Sequence, residues 1–143
     1  YRELNLPDIK ISPGLVSFLQ NLKETGITIA MATSAPTVNV DFVLDQTGIR
    51  TYFSKIIDAS MIREGKPSPE IYFKAAEVLH SDVKDCLVFE DSFHGIESAN
   101  RAGMKVIGVA TTHPSEKLIG TVRTIENFNE INALDIIQIL GNQ

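Results

Sequence analysis

The sequence predicts an α/β fold built on a parallel sheet, and three observations carry that prediction. Short apolar runs lack polar/apolar alternation, as expected of strands covered on both faces. Longer stretches between them repeat apolar residues at helical spacing, and several close on glycine. The two kinds of segment alternate along the chain, the pattern of βαβ units with right-handed crossovers.

After a polar lead-in, Ser12-Pro13 reads as an N-cap followed by proline at the first helical position. Leu15, Phe18, Leu19 and Leu22 then repeat at helical spacing until Gly26 stops the helix. Residues 27–32 form an apolar run expected to be a buried strand, ending abruptly in Thr33-Ser34-Ala35-Pro36. A second helix is expected over 37–46, closed by Gly48, and a brief strand over 55–58. A second Ser-Pro start, Ser68-Pro69, opens a helix whose buried stripe is Ile71, Tyr72, Ala75, Ala76 and Leu79. Residues 86–89 are another buried strand, ending in Glu90-Asp91. A helix of small residues follows over 92–102, closed by Gly103, then a strand over 105–110. A weak strand at 122–125 and a helix over 133–140 complete the order. With 143 residues, no repeat and no long linker, residues 1–143 are expected to form one domain.

Composition narrows the function. Lys plus Arg number 13 against 18 Asp plus Glu, a net charge of -5, so no basic face is expected for a nucleic-acid backbone. The apolar runs are far shorter than the ~20 residues of a bilayer span, and no charged-then-apolar leader opens the chain, so a cytoplasmic protein without membrane contact is expected. Cys86 lies in an apolar run and reads as a small buried hydrophobe. His80, His94 and His113 show no metal-ligand spacing, and Tyr52, Phe53 and Tyr72 read as packing aromatics. Neither a Gly-x-Gly-x-x-Gly nor a Walker-type loop is present.

Ligands of an open parallel sheet bind beyond the carboxyl ends of its strands. Three such ends carry polar groups: Thr33-Ser34 after one strand, Lys66 in the loop after the next, and Glu90-Asp91 at the end of a third. Each alone has a plain explanation, as a helix cap, a solvated lysine or an acidic helix start. Together, a hydroxyl with adjacent backbone N–H groups, an ammonium and two carboxylates are the parts that hold a phosphate with a magnesium ion. Phosphoryl transfer needs mainly positioning and charge neutralisation.

Residues 29–34, Gly65-Lys66-Pro67-Ser68-Pro69-Glu70-Ile71-Tyr72, and Val88-Phe89-Glu90-Asp91-Ser92 with Gly95-Ile96 resemble three ordered motifs of the haloacid dehalogenase superfamily. Ala102-Gly103-Met104 and the following 106–109 are similar to its tail, and the branch they most resemble is that of β-phosphoglucomutase-like sugar-phosphate phosphatases and mutases. The resemblance implies a Rossmann-like parallel sheet with helices on both faces. It implies that Thr33 and the N–H of Ser34 bind the phosphoryl group, that Lys66 pairs with its oxygens and with the nucleophile, and that Asp91, with Glu90 in or next to the metal shell, holds Mg²⁺. Ser92 and Gly95 are expected to serve the turn and packing of the helix that follows. The implied activity is that of a Mg²⁺-dependent phosphatase or phosphomutase acting on a small phosphorylated metabolite through an aspartyl-phosphate.

Members of the family open with a strand ending in Asp-x-Asp-Gly, and no Asp-x-Asp occurs in these residues. The helical cap of this branch, which chooses the substrate, is also absent. The chain is therefore expected to be part of a longer polypeptide, lacking the first, central strand and the cap, and inactive alone. The alternative is a non-catalytic binding module that keeps the fold without the nucleophile. A receiver-type signalling domain is disfavoured, because there the acidic pair precedes the Thr and the Lys.

Overall fold

The computed structural model describes residues 12–141, so the polar lead-in ahead of Ser12 lies outside the described residues. Gly14 decides where the first helix begins. Its φ of 80° is left-handed, and a side chain there would run into Asn129. Helix α1 is therefore Leu15–Thr25, starting later than the Ser12-Pro13 signature predicts, and Gly26 ends it by donating its N–H to Leu22 and Lys23 carbonyls.

Strand β1 is Ala30–Ala32, half the expected run, and β2 is Lys55–Ile57. They pair in parallel with Met31 opposite Ile56. The ladder extends at both ends through Ser54 N–H to Ile29 O at 2.8 Å and Thr33 N–H to Ile57 O at 2.9 Å. Strands β3 (Leu87–Glu90), β4 (Lys105–Val109) and β5 (Arg123–Ile125) form a second parallel sheet in that order, with Glu90 opposite Gly108. Among the described residues, no strand joins β1 to β3.

The helices lie where the apolar spacing puts them: α2 is Thr37–Thr47, α3 Glu70–Val78, α4 Phe93–Arg101 and α5 Ala133–Gly141. Successive residues of β4 show why its run does not alternate. Val106 faces a cluster made with Ile71 and Ala75 of α3 and Ile96 and Ala99 of α4, whereas Ile107 faces one made with Phe18 and Leu22 of α1 and Ile136 of α5. Val88 and Phe89 of β3 divide in the same way, so both faces of the sheet are covered. A third cluster joins Leu19 of α1 to Val40 and Leu44 of α2, over Met31 and Ile56. Packing also bridges the two sheets, since Ile57 of β2 and Val88 of β3 share one cluster. This is the predicted α/β architecture with helices on both faces.

Cys86 is half-buried, less covered than its apolar run suggests, because it precedes β3 and its thiol donates to Asp82 O at 3.4 Å. Burial pushes that thiol up, away from the reactive thiolate. No helix among the described residues is long and apolar enough to cross a membrane.

Ile107 is fully enclosed and Val38 is 72% exposed. Ile107→Ala is expected to lower stability by about 2–5 kcal/mol, and Val38→Ala to stay within about 0.5 kcal/mol, in urea unfolding followed by circular dichroism.

Candidate active site

The chain leaves β1 at Ala32 and turns at once. Thr33 Oγ1 accepts the N–H of Ala35 at 3.1 Å, so the hydroxyl proton stays available to a ligand. The far side of this turn is held by Asp58, at the end of β2 and only 3% exposed. Its carboxylate accepts Thr37 Oγ1 at 2.8 Å, Ser60 N–H at 3.0 Å and Ser60 Oγ at 2.5 Å. These bonds, that of the Ser60 hydroxyl first, hold Asp58 below the ordinary carboxylate range despite its burial. The sequence reading treated Asp58 as a strand end and missed this anchoring role; an aspartate two residues before a serine is the local signal of such a turn.

Lys66 sits on the loop between β2 and α3, and its peptide bond to Pro67 is cis. Two contacts shape that loop. Glu70, in the first turn of α3, accepts the N–H groups of Arg63 and Glu64, the latter at 2.8 Å. The enclosed hydroxyl of Ser98, on α4, donates to Ser68 O at 2.5 Å. The loop so formed carries Lys66 to the end of β3, where Nζ lies 2.7 Å from Glu90 Oε2, the two side chains being 13% and 8% exposed. A loop leaving the carboxyl end of β2 thus meets the carboxyl end of β3.

Glu90 organises this edge. Its Oε2 also accepts the Tyr72 hydroxyl at 2.6 Å, while Oε1 accepts Asp91 N–H at 3.2 Å, Ser92 N–H at 3.3 Å and Ser92 Oγ at 3.1 Å. Ser92 in turn caps α4 by accepting Gly95 N–H at 3.0 Å. Any side chain at Gly95 would overlap the Glu90 carboxylate, so the glycine is required by the acid it faces. Burial alone would raise Glu90, but the Lys66 charge and the hydrogen bonds outweigh it and hold the acid below its ordinary value. Tyr72, read from sequence as a packing aromatic, is buried by that packing and also tethers Glu90. Burial and the Glu90 charge push its hydroxyl far up, so it remains a neutral donor. The signal was available in principle, since a phenol in a buried stripe must find a polar partner.

Asp91, half-buried, follows directly. Thr112 Oγ1 lies 3.0 Å from its main-chain carbonyl and 3.3 Å from Oδ2. Burial first, and the neighbouring Glu90 charge second, raise the Asp91 carboxyl above its ordinary value. Lys66, Glu90 and Asp91 are therefore brought together. Thr33 and Ser34 stand at the end of β1, in the other sheet, and make no hydrogen bond to those three among the described residues. His80 and His94 are exposed, and His113 stacks on Phe93 with centroids 4.0 Å apart. No group of three or more His, Cys, Asp or Glu side chains among the described residues is placed to hold a metal ion. A hollow of about 560 Å³ lies along α4 between Phe93, Arg101 and Ile119, and none of Thr33, Ser34, Lys66, Glu90 and Asp91 lines it.

The family model of haloacid dehalogenase-like hydrolases matches residues 2–103, which span all three motifs. The chain belongs to that family. Its fold is similar to that of a HAD hydrolase of family IA, variant 3, from Entamoeba histolytica, at 34% identity and a TM-score of 0.88 over 94% of this chain and 63% of that one. It is also similar to β-phosphoglucomutase from Clostridium difficile, at 30% identity and a TM-score of 0.80 over 92% of this chain and 56% of that one. Among curated proteins, validoxylamine A 7'-phosphate phosphatase of Streptomyces hygroscopicus subsp. limoneus is 30% identical over 129 residues, 88% of this chain and 61% of that protein. The chain spans less than two thirds of the length of each of these relatives.

Because the folded-state pKa of Glu90 is depressed, its ionised form stabilises the fold, an effect complete above the unfolded value and lost as pH falls through the folded one. The stability advantage of the native chain over Glu90→Gln is therefore expected to be largest near neutrality and to shrink progressively below about pH 4.5 in urea titrations. Tyr72→Phe, which leaves the pair intact but removes one bond to a charged acceptor, is expected to cost about 1.5–3 kcal/mol at neutral pH.

Proposed function

We propose that these residues form the phosphate- and metal-binding half of a Mg²⁺-dependent phosphatase or phosphomutase that acts on a small phosphorylated metabolite, a sugar phosphate, through an aspartyl-phosphate. The observation that carries the reading is the meeting of Lys66 with Glu90 at 2.7 Å beside Asp91, on the edge of the sheet where ligands of such folds bind. Similarity to a β-phosphoglucomutase and to a validoxylamine A 7'-phosphate phosphatase supports the substrate class. A cytoplasmic location is part of the proposal, in keeping with an acidic chain and a free thiol.

In this reading Thr33 donates its free hydroxyl proton, and Ser34 its N–H, to the phosphoryl oxygens. Lys66 has three N–H bonds, of which Glu90 takes one, leaving two for phosphoryl oxygen and nucleophile. Asp91 has a half-buried carboxylate in no ion pair among the described residues, and hard oxygen donors of this kind suit Mg²⁺. Bound there, the ion would neutralise charge developing on the transferring group. Both Glu90 oxygens are already engaged, which sets Glu90 next to the metal shell, where it orients Lys66. The nucleophile is assigned to a central strand bearing Asp-x-Asp, with the cap supplied by the same longer protein. Among the described residues β1 and β3 each pair on one edge, and a strand between them would pair with the other edge of both and present its aspartate between Thr33 and Asp91.

In the protein extended to carry that strand, Asp91→Asn is expected to abolish phosphate release from sugar phosphates in MgCl₂. Lys66→Ala is expected to lower kcat by about 10²–10³, the usual cost of one group that neutralises transition-state charge. Chelation with EDTA should silence the extended protein and added Mg²⁺ restore it. An undiminished rate in Asp91→Asn sinks the metal assignment.

A further inference from the structure

Thr112 lies on the loop that leaves β4, outside the three motifs, and the proposed function gives it no part. Its surroundings are nonetheless specific. The loop is tied to β5 by Ala110 N–H to Ile125 O at 2.8 Å, then folds back through Thr111 N–H to Val109 O at 2.9 Å. One residue further, the His113 ring stacks on Phe93, in the first turn of α4, with an interplanar angle of 22°. Anchored on both sides, the loop brings the Thr112 hydroxyl over the end of β3, within reach of two oxygens of a single residue: Asp91 O at 3.0 Å and Asp91 Oδ2 at 3.3 Å.

A threonine serving only to fasten the loop would need the carbonyl alone. The Thr112 hydroxyl has one proton, so its contacts at 3.0 and 3.3 Å are one shared, three-centre bond to the main-chain and side-chain oxygens of Asp91, and that geometry across the Cα–Cβ bond favours one χ1 rotamer of the side chain. Asp91 is the last residue before the Ser92 cap, and no cation among the described residues orients it. We infer that Thr112 is a positioning residue that fixes the Asp91 carboxylate in one rotamer, holding Oδ2 so that the carboxylate faces a cation at the carboxyl edge of β3. The inference rests on the proposed metal-binding role of Asp91 for its purpose, but its geometry stands on this chain alone. Partners that orient a metal-binding carboxylate typically change metal affinity by about 10–100-fold when removed.

The test uses the isotopically labelled protein extended to carry the central strand and reads the Asp91 χ1 rotamer from three-bond couplings to Cγ by NMR at neutral pH. The native chain should show one rotamer, Thr112→Val an averaged set, and Thr112→Ser a return to the native value. Thr112→Ala is measured alongside, and whichever of Val or Ala gives a dispersed spectrum is the one read. Averaged couplings in the native chain, or a single unchanged rotamer in the hydroxyl-free variant, overturn the inference. In the extended enzyme, Thr112→Val should raise the Mg²⁺ concentration for half-maximal rate about 10-fold while leaving the substrate KM at saturating Mg²⁺ unchanged. An unshifted Mg²⁺ requirement overturns the metal-facing part. A native enzyme indifferent to Mg²⁺, with the rotamer result intact, overturns the proposed function instead and leaves the positioning of Asp91 standing.

Discussion

Everything at the carboxyl edge of β3 depends on the buried pair of Lys66 and Glu90. Two charges nearly removed from water are stable only if each keeps its partner and its remaining hydrogen-bonding capacity is met. Glu90 meets that condition with five donors from four residues, drawn from the loop before α3, from α3 itself and from the start of α4. Losing one member of such a pair typically costs about 3–5 kcal/mol, because the survivor is left charged and buried. The pair therefore explains constraints that are unrelated at first sight: a glycine at 95, a phenol at 72, a serine cap at 92 and a hydroxyl at 98 that pins the lysine loop.

The same arrangement separates two tasks among adjacent carboxylates. Glu90 is saturated and held ionised by its cation, whereas Asp91, one residue on, carries its charge without one and is pushed the other way by burial and by Glu90. Neighbouring groups with opposed environments can be assigned distinct roles, one structural and one directed at a ligand. In the proposed function Glu90 takes the first role and Asp91 the second: Glu90, the last residue of β3, is bonded to α3 and to the start of α4, while Asp91 lies outside the ladder beneath the β4 loop.

Much of this was legible in the amino-acid sequence. The alternation of apolar runs and helical stripes placed the five strands and five α-helices of the described residues, because burial on two faces leaves a strong pattern. The meeting of Lys66 with Glu90 beside Asp91 was legible because loops leaving the carboxyl ends of parallel strands converge, whereas Thr33, grouped with them from the sequence, ends β1 in the other sheet of the described residues. What escaped had a common cause: contacts between residues distant in sequence. Tyr72 looked like one more member of an apolar stripe, and its bond to Glu90 crosses 18 positions. Thr112 meets Asp91 across 21 positions, and the Thr37–Asp58 tie spans the same separation. The late start of α1 escaped for another reason: Ser12-Pro13 is a sound local cap, and the left-handed backbone of Gly14, packed where a side chain would meet Asn129, delays the helix to Leu15.

Among the described residues, the β1–β2 piece that carries Thr33 and the β3–β4–β5 piece that carries the acidic pair are joined by side-chain packing, with the Lys66 loop as a strut. Ile57 of β2 and Val88 of β3 belong to one cluster, so their volumes set the spacing between the two pieces. Close-packed interiors have low compressibility and transmit strain, so a change of side-chain volume at Ile57 is passed to the edge that carries Glu90 without altering any residue there.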